Sequence, residues 1–598
     1  MNNAICILID SVVWDCFGNK RIKESPTPFL DSLKKESLIA ESLFSQGPYT
    51  DAATKSLYTG RNCLDDFGYF FKLNSSRYTH FDAFHDNGFE TYGFYYPYYL
   101  YGPNIKKSID HTIYTSGFLY DSEWGGIFDY YAKIVNQRDL SSLEIDLLIK
   151  RINLMFDSWI SFYNDILVND ESRMLIEKEM SNFDLLIALK KLTNEREKFN
   201  TNKVEYIHSI LNGGKEHELA KIDFIDVDAL INRDYLKKEV FRKYRKIFKK
   251  ISINNFVANS LHNKPNIKRV IYSIKNYIKT KEKNNLRFLS NFYHCINSTK
   301  EFISNSNLKR WQNMPSARRQ LDTAFSILKN RKSKIPFYLS LHLLDPHEYI
   351  SFFSYDIQNN NIMKEEFEMI NKYINSCGTC FKGSLPYILT IRYVDFCIEK
   401  FCEKLKEIGL WENTSLLIVA DHGSSYSYYP LHGIPVNCFD EECYHIPMMI
   451  RNPNSEMRKV EKYFSSMDVF PTFFDILGIK KPDSFIGKSM LVDSGLDYII
   501  TEYMGSGCPD MLSKKIWFSI RDKNYCIGLK VPINNTFEKR EINEVYDIKK
   551  DKNCFYNLKD KLDVSSYDYL LSKIESRFYE IKEDVCSFIS GVKNEHRK

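Results

Sequence analysis

The stretch AICILIDS at residues 4–11 begins with six apolar residues and reaches a carboxylate at Asp10. A short apolar run bounded by polar residues is typical of a parallel strand that is buried on both faces. The later stretch SLLIVADHG at residues 415–423 has the same form and delivers Asp421 and His422 at its end. Asp10 alone is equally compatible with capping a turn. The paired arrival of Asp421 and His422 favours an α/β fold whose strands end in candidate metal ligands.

The stretch GPYTDAATKSLYTGR at residues 47–61 predicts a helix that begins near Thr50. Threonine is favoured at the start of a helix, so a capping role explains its presence in purely structural terms. A helix N-terminus is also a place where a transferred anion binds well. Thr50 is therefore a candidate nucleophile as well as a cap, and the two roles are compatible.

Histidines mark further candidate positions. The stretch FYLSLHLLDPH at residues 337–347 predicts a strand that ends near Asp345 and His347, and His432 comes later in the chain. His342 stands among apolar neighbours inside the predicted strand, so we interpret it as a core residue outside the site. These positions add His347 and His432 to the candidate site.

In their order and strand-end placement, these stretches resemble the alkaline phosphatase and sulfatase superfamily. The resemblance covers roughly residues 1–100 and 335–490. It implies an α/β fold, an alkaline-phosphatase-like mixed and mostly parallel sheet sandwiched by helices. It also implies a divalent metal ion bound by Asp10, Thr50, Asp421 and His422, and catalytic roles for Thr50, His347 and His432.

The metal itself stays open at this stage. Two carboxylates suit Mn²⁺, Mg²⁺ or Ca²⁺, and the imidazole admits Zn²⁺. A cation beside Thr50 would lower the pKa of its hydroxyl and make it a stronger nucleophile. In a one-metal site, His347 and His432 would stabilise charge on the transferred group. In a two-metal site they would be ligands together with Asp345, but the short spacing from Asp345 to His347 favours one metal.

This chain differs from the sulfatases of that superfamily at and after the nucleophile position, and the differences change the chemistry that we expect. Sulfatases that mature a formylglycine carry Cys or Ser at the nucleophile position, with Pro two residues later and Arg four residues later. This chain has Thr50, Ala52 and Thr54 at those positions. Lys55 is a weak substitute for the arginine, because neighbouring helix residues point about 100° apart. Formylglycine formation is therefore not expected.

Superfamily members with a threonine nucleophile include phosphodiesterases and the transferases of phosphoethanolamine or phosphoglycerol. The sequence thus predicts a phosphoester hydrolase or phosphotransferase with a covalent Thr50 intermediate, acting on a phosphorylated or sulfated small molecule, a glycan or a lipid-linked glycan. Two alternatives stay open: a sulfatase that works without formylglycine, and a catalytically silent protein that binds an anionic glycan.

Composition limits the partners. The chain has 598 residues, 43% of them hydrophobic, and a net charge of +5, which gives no general argument for nucleic acid binding. No apolar run approaches the ~20 residues of a membrane span, and the first predicted strand starts at Ala4, so we expect a cytoplasmic chain. The fourteen cysteines are then expected to be reduced thiols.

The pattern predicts three parts. Residues 1–103 and 334–497 form the catalytic core, 104–333 a mainly α-helical insertion over the binding cleft, and 498–598 a small α+β subdomain with a strand pair and a terminal helix. Within the insertion, basic and apolar residues alternate at helical spacing over residues 237–250. This stretch suits peripheral contact with an anionic membrane or an acidic glycan, and an ordinary amphipathic helix explains it equally simply.

Overall fold

The structure is a computed structural model. Strands and helices build the part of the chain that it describes. The described residues are 2–17, 25–75, 78–95, 103–115, 127–176, 182–220, 278, 316–347, 385–424, 441–453, 455–456, 458–492, 495–504, 515–551, 554 and 557–595.

The strands of this part of the chain belong to three sheets. In chain order they are β1 (Asn3–Ile9), β2 (Ser37–Ala40), β3 (Leu43–Phe44), β4 (Glu90–Tyr95), β5 (His111–Tyr114), β6 (Phe337–Leu343), β7 (Thr414–Val419), β8 (Met448–Arg451), β9 (Arg458–Val460), β10 (Phe464–Ser465), β11 (Tyr498–Tyr503), β12 (Lys515–Asp522), β13 (Tyr525–Pro532) and β14 (Glu541–Asp547).

The helices cover the sheets and build most of the described insertion. They are α1 (Pro28–Leu33), α2 (Thr50–Thr59), α3 (His80–Asp86), α4 (Pro103–Lys106), α5 (Asp129–Val135), α6 (Ser142–Val168), α7 (Asn182–Thr201), α8 (Lys203–Gly213), α9 (Ala317–Asn330), α10 (Leu385–Glu407), α11 (Glu441–Tyr444), α12 (Val469–Leu477) and α13 (Asp568–Glu595).

The main sheet has the strand order β5-β4-β6-β1-β7-β8-β2-β9 among the described strands. The five strands from β5 to β7 are parallel to one another, whereas β8 runs antiparallel to both β7 and β2. Strand β1 is central, and Cys6 pairs with Ser340 on one side and Leu417 on the other. The expected mixed, mostly parallel sheet is confirmed, and the carboxyl ends of β6, β1 and β7 lie side by side.

Apolar burial explains why β1 occupies the centre. Its residues 4–9 are buried, as are all residues of β6 and β7. Such strands need cover on both faces. Helix α10 packs against α9 and α1. Helices α2 and α12 contact each other. The uninterrupted apolar runs of the sequence thus correspond to strands enclosed by helices.

The sheet extends beyond the predicted boundary of the core at residue 103. Strand β5, at His111–Tyr114, pairs in parallel with β4 and forms the edge of the main sheet. After it, α5 to α8 and then α9 are the longer helices of the insertion among the residues that the structure describes. Residues 171–175 form turns, and the next helix of the described chain, α7, starts at Asn182. The basic stretch 237–250 lies outside the described residues, and the division into domains stays a prediction.

The C-terminal part contains a separate antiparallel sheet with the order β11-β12-β13-β14 in the described chain. The expected strand pair is confirmed as β12 and β13, and the expected terminal helix as α13. Arg577 of α13 binds both oxygens of Glu502 at 2.7 and 2.8 Å and Asp65 Oδ1 at 2.6 Å. Because Asp65 lies just after α2, this ion pair ties the terminal helix to the segment behind the nucleophile helix.

None of the helices that the structure describes has the length and apolar character needed to cross a lipid bilayer.

A second charged cluster joins the insertion to the sheet edge. His111 of β5 contacts Glu171 Oε2 at 2.6 Å and Glu90 Oε1 at 3.1 Å, and Arg331 binds the other oxygen of Glu90 at 2.6 Å. The His111 ring stacks on Tyr92. The hydrogen bond to Glu171 raises the pKa of His111 against the opposing effect of burial.

Replacing Arg577 by methionine tests the terminal clamp. We expect the unfolding free energy to fall by ~3–5 kcal/mol, because two buried carboxylates would lose their cation. Chemical denaturation measures the effect. The matched control is Lys462→Met, whose pair with Asp497 is exposed and should contribute no more than ~1 kcal/mol. Equal losses in the two variants would contradict the clamp.

The His111 cluster predicts a pH-dependent stability. The folded-state pKa is raised, so the contribution of His111 is fully present below the unfolded pKa of about 6.5 and disappears as pH rises through the folded pKa. Relative to His111→Gln, the wild type should gain on the order of 1 kcal/mol at pH 5.5. Denaturation at several pH values measures this gain, and His85→Gln, at an exposed histidine, is the control. A gain that grows at alkaline pH would refute the assignment.

Candidate active site

Asp10 and Asp421 meet because they follow adjacent parallel strands. Asp10 comes directly after β1, and Asp421 comes two residues after the end of β7. Together with His422 they form a buried group whose ligand atoms all lie within 4.8 Å of one another. His422 Nε2 is 3.5 Å from Asp10 Oδ1 and 3.5 Å from Asp421 Oδ2. The structure therefore brings the three predicted metal ligands together.

Thr50 is the first residue of α2 and faces the same group. Its hydroxyl donates to Asp10 Oδ2 at 3.3 Å and lies 3.2 Å from His422 Nε2. The helix cap is the preceding Tyr49, and no side-chain capping bond is formed. Thr50 consequently uses its hydroxyl in the site rather than on the helix end. The positive end of the α2 dipole also points to this place and favours an anion there.

The hydrogen bond at the far side of the His422 ring determines which nitrogen faces the site. Nδ1 lies 2.7 Å from the carbonyl oxygen of Gly423. A carbonyl oxygen only accepts, so Nδ1 carries the proton and donates it. In the neutral ring, Nε2 is then left with its lone pair towards Thr50 and the two carboxylates. That is the tautomer that a metal ligand requires.

Gly423 is needed for this arrangement because the chain passes very close to α11. A Cβ atom at position 423 would lie 1.8 Å from the carbonyl oxygen of Glu442. The Gly423 amide donates to the Cys443 carbonyl at 2.9 Å. The glycine of the Asp-His-Gly stretch therefore lets the His422 loop rest directly on the α11 backbone.

The two carboxylates have opposite pKa shifts. Burial raises the pKa of Asp10, but the neighbouring His347, His342 and His422 outweigh it and hold that pKa well below its ordinary value. Burial and the charge of Asp10 raise the pKa of Asp421. Asp10 is thus the carboxylate that keeps its negative charge, and Asp421 is the one that a further cation would help to ionise.

The donor set fits a divalent cation. Asp421 Oδ2 is buried and accepts no hydrogen bond from any residue that the structure describes. An unpaired buried carboxylate oxygen is costly unless it binds a cation. Two carboxylates, an imidazole lone pair and a hydroxyl face one another, and these are suitable ligands for the hard or borderline divalent metals. Asp10, Asp421, His422 and Thr50 would hold the ion.

Ser11 supports the two carboxylates through an uncommon backbone conformation. Its φ angle is 62°, which non-glycine residues seldom adopt. In this turn the Ser11 amide donates to Asp421 Oδ1 at 3.1 Å, and the hydroxyl donates to Asp10 Oδ1 at 2.7 Å. Tyr387 of α10 donates to the Ser11 carbonyl at 2.5 Å. Strain of this kind is often concentrated at functional sites.

His342 belongs to the site, contrary to our interpretation of it as a core residue. It is buried in β6, but its Nε2 lies 3.1 Å from Asp10 Oδ2. Residues of β6 pair with β1, and His342 is directly opposite Leu8. A histidine that bonds a metal-binding carboxylate orients that carboxylate. The sequence signal was a histidine among apolar neighbours, which is also the usual appearance of a core residue.

The other predicted site residues have different outcomes. His347 is exposed, and its ring centre lies 6.5 Å from that of His422. Both oxygens of Asp345 accept a hydrogen bond from the Ala317 amide, at 3.1 and 3.0 Å, so this carboxylate caps α9. A helix cap explains Asp345 without a second metal. His432 lies outside the described residues.

The cation beside the nucleophile helix is a different lysine from the one considered in the sequence. Lys55 is buried, burial lowers its pKa to about 8, and the nearby charges that oppose this are Asp66 and Asp65. These carboxylates lie behind α2. Lys72 instead binds Asp51, the residue next to Thr50, at 2.5 Å. Helical geometry therefore directs Lys55 away from the site, as the angle of about 100° per residue predicts.

Comparison with known proteins supports the resemblance to the superfamily. The sequence model of the sulfatase family, described as "Sulfatase", matches residues 253–479, which include His342, Asp421 and His422. The match covers less than half of the chain. The resemblance to the alkaline phosphatase and sulfatase superfamily is thereby confirmed. Asp10 and Thr50 precede the matched range, so their roles depend on the geometry above.

Individual relatives are distant. An arylsulfatase of Clostridium perfringens (strain 13 / Type A) is 26% identical over 267 residues, which is 40% of this chain and 52% of the relative. The lipoteichoic acid synthase-like protein YvgJ of Bacillus subtilis (strain 168) is 26% identical over 170 residues, 26% of this chain and 25% of the relative. The chain thus spans 52% and 25% of the length of these two relatives.

Among solved structures, the phosphonate monoester hydrolase of Agrobacterium radiobacter is similar with a TM-score of 0.48 and 13% identity. The similarity covers 97% of this chain and 96% of that chain. A likeness of this extent indicates neither a substrate nor a mechanism.

Asp421→Asn tests the metal site. We expect the metal-free variant to be no less stable than the wild type, because the repulsion between Asp10 and Asp421 is removed. A metal ion at 100 times its dissociation constant should stabilise the wild type by ~2.7 kcal/mol and the variant far less. Thermal unfolding with and without Mn²⁺ measures both effects. Asp475→Asn, at a carboxylate that bonds Ser489 on the surface, is the control. A full Mn²⁺ response in Asp421→Asn would contradict the assignment.

Proposed function

We propose that the chain is a metal-dependent hydrolase or transferase of phosphoesters that works through a covalent intermediate on Thr50. The observation that carries this proposal is the position of the Thr50 hydroxyl, 3.2 Å from His422 Nε2 and 3.3 Å from Asp10 Oδ2 at the start of α2. A threonine hydroxyl is a weak nucleophile without activation. Its contacts here are the ones that an activated nucleophile needs.

Asp10, Asp421 and His422 would hold a divalent cation, whose positive charge would lower the pKa of the Thr50 hydroxyl. Thr50 is half-buried, so its proton can leave to solvent. The deprotonated oxygen then attacks phosphorus, and a new O–P bond forms while the bond from phosphorus to the leaving oxygen breaks. The amides at the start of α2 stabilise the charge on the remaining phosphate oxygens.

His347 is the group that we assign to the leaving oxygen. It is exposed at the end of β6, and its ring is perpendicular to that of His422. It donates a proton to the leaving oxygen in the first step. In the second step it takes a proton from water, and the water oxygen attacks phosphorus and releases Thr50. If an alcohol replaces water, the same step transfers the phosphoryl group.

The side chain of threonine favours phosphorus chemistry over the usual sulfatase route. A formylglycine has an aldehyde, which requires a Cβ atom with one substituent besides Cα. Threonine carries a methyl group on Cβ as well, so its oxidation would give a ketone. Thr50 therefore acts as a hydroxyl nucleophile, and phosphoesters are the substrate class that we propose, in the form of small molecules, glycans or lipid-linked glycans.

A second candidate function is hydrolysis of sulfuric esters without formylglycine. The match to the sulfatase family and the similarity to an arylsulfatase favour it. The same residues would act, with sulfur in place of phosphorus. The two functions differ in the charge of the bound ester, and a substrate panel separates them.

Thr50→Ala tests the nucleophile. We expect it to lower kcat on an aryl phosphate or phosphodiester by at least ~10³-fold, because covalent catalysis is lost. Thr50→Ser should retain a rate within about tenfold, because it keeps the hydroxyl. Steady-state kinetics with Mn²⁺ measures both, and the panel includes aryl phosphate, phosphodiester, phosphonate monoester and aryl sulfate. Intact mass after acid quench should show a phospho-adduct on the Thr50 peptide.

The matched control is Thr59→Ala in the same helix. Its hydroxyl bonds the Lys55 carbonyl within α2, away from the carboxylates, so kcat should stay near the wild-type value. Equal turnover by Thr50→Ala and wild type would refute the nucleophile. Turnover of aryl sulfate alone would favour the second function, and absence of turnover across the panel with intact Mn²⁺ binding would favour an anion-binding protein.

A further inference from the structure

Two cysteines of the C-terminal part lie beside the same buried arginine, Arg521. Cys526 of β13 is buried, and Cys554, in the segment after β14, is partly exposed. The Ser519 hydroxyl lies 3.9 Å from Cys526 Sγ. Both cysteines are free thiols that share Arg521 as a neighbour.

Arg521 provides the positive charge of this cluster. It is directly opposite Cys526 in the antiparallel ladder of β12 and β13. Its Nη2 atom donates to Cys554 Sγ at 3.7 Å, and its Nη1 atom lies 2.9 Å from Glu441 Oε2. A cation at this distance stabilises a thiolate. It also repels a metal ion, so the arrangement favours thiol chemistry over metal binding.

The pKa values of the two thiols are shifted in opposite directions. The hydrogen bond from Cys554 lowers the pKa of Cys526 to about 6, with burial opposing and Arg521 assisting. The pKa of Cys554 is raised by the same bond. In contrast, burial is the largest cause acting on Cys6 and Cys402, and it raises the pKa of both thiols. Cys526 thus differs from those buried cysteines in its reactivity.

We propose that Cys526 and Cys554 are a peroxide-sensitive dithiol that closes to a reversible disulfide. The Cys526 thiolate attacks one oxygen of hydrogen peroxide, the O–O bond breaks, and Cys526 becomes a sulfenic acid. The Cys554 sulfur then attacks the Cys526 sulfur and displaces its oxygen. The two thiol hydrogens leave with the two peroxide oxygens as two water molecules, and the two sulfurs together lose two electrons.

The cluster is connected to the candidate active site by one ion pair. Glu441, the partner of Arg521, is the first residue of α11, and the Cys443 carbonyl of α11 accepts the hydrogen bond from Gly423. When the disulfide forms, Arg521 loses its negatively charged sulfur neighbour and keeps Glu441. Oxidation therefore changes the charge next to the helix on which the His422 loop rests.

The experiment uses the full chain, reduced with dithiothreitol, desalted and treated with one equivalent of hydrogen peroxide at pH 7. Remaining thiols are blocked with N-ethylmaleimide, and peptides are mapped by mass spectrometry without reduction. We expect a cross-linked peptide that joins Cys526 to Cys554, with the loss of two hydrogen atoms, and its disappearance after dithiothreitol. Cys554→Ser should instead give a Cys526 sulfenic acid that dimedone traps.

Cys586→Ser is the matched control, because Cys586 is an exposed cysteine on α13. This variant should form the same cross-link to the same extent. Absence of the Cys526–Cys554 peptide in the wild type would overturn the proposal. So would cross-links that join other cysteines with equal yield. The wild-type measurement decides the matter even if a serine variant fails to fold.

Discussion

The structure depends on the burial of two carboxylates, Asp10 and Asp421, at the ends of neighbouring parallel strands. Two like charges so close together in a dry environment repel each other and lack the solvation of water. The Ser11 amide and hydroxyl and the His342 ring offset this cost, and a bound cation would offset more of it. Most features of the site follow from that electrostatic requirement, because each group either donates to a carboxylate or faces it with a positive charge.

The elements around the site hold these groups in place. Strands β6, β1 and β7 set the spacing of the carboxylates, and α2 brings Thr50 to them with the positive end of its dipole. Behind α2, Glu502 accepts from the Leu64 amide and binds Arg577. The C-terminal sheet and helix therefore support the segment that follows the nucleophile helix.

Much of the site could be predicted from the sequence. The apolar runs that end in Asp10 and Asp421 are typical of buried strands, and the carboxyl ends of parallel strands lie at one edge of a sheet. His342 was missed for a physical reason. A histidine in an apolar strand has the same local sequence whether it bonds a core group or a carboxylate of the next strand, and only the register of β6 against β1 decides. The role of Asp345 was equally hidden in the sequence. The amide that it caps belongs to Ala317, which lies 28 residues earlier in the chain.

Ser11 could not be identified from the sequence either, because its positive φ results from contacts with Asp421 and Tyr387, which are far away in the chain. Several expectations stay predictions: the cytoplasmic location, the identity of the metal, the role of His432 and the function of the insertion.

The sequence by itself determined the α/β class, the order of the strands that carry ligands, and the chemical limits that Thr50 imposes on the nucleophile. These properties depend on local composition and on the atoms of single side chains. The tertiary structure alone decided which groups touch. It put His342 on Asp10, Asp345 on α9, Lys72 on Asp51 and Cys554 on Arg521, because each of these contacts depends on strand register or on the packing of segments that are distant in the chain.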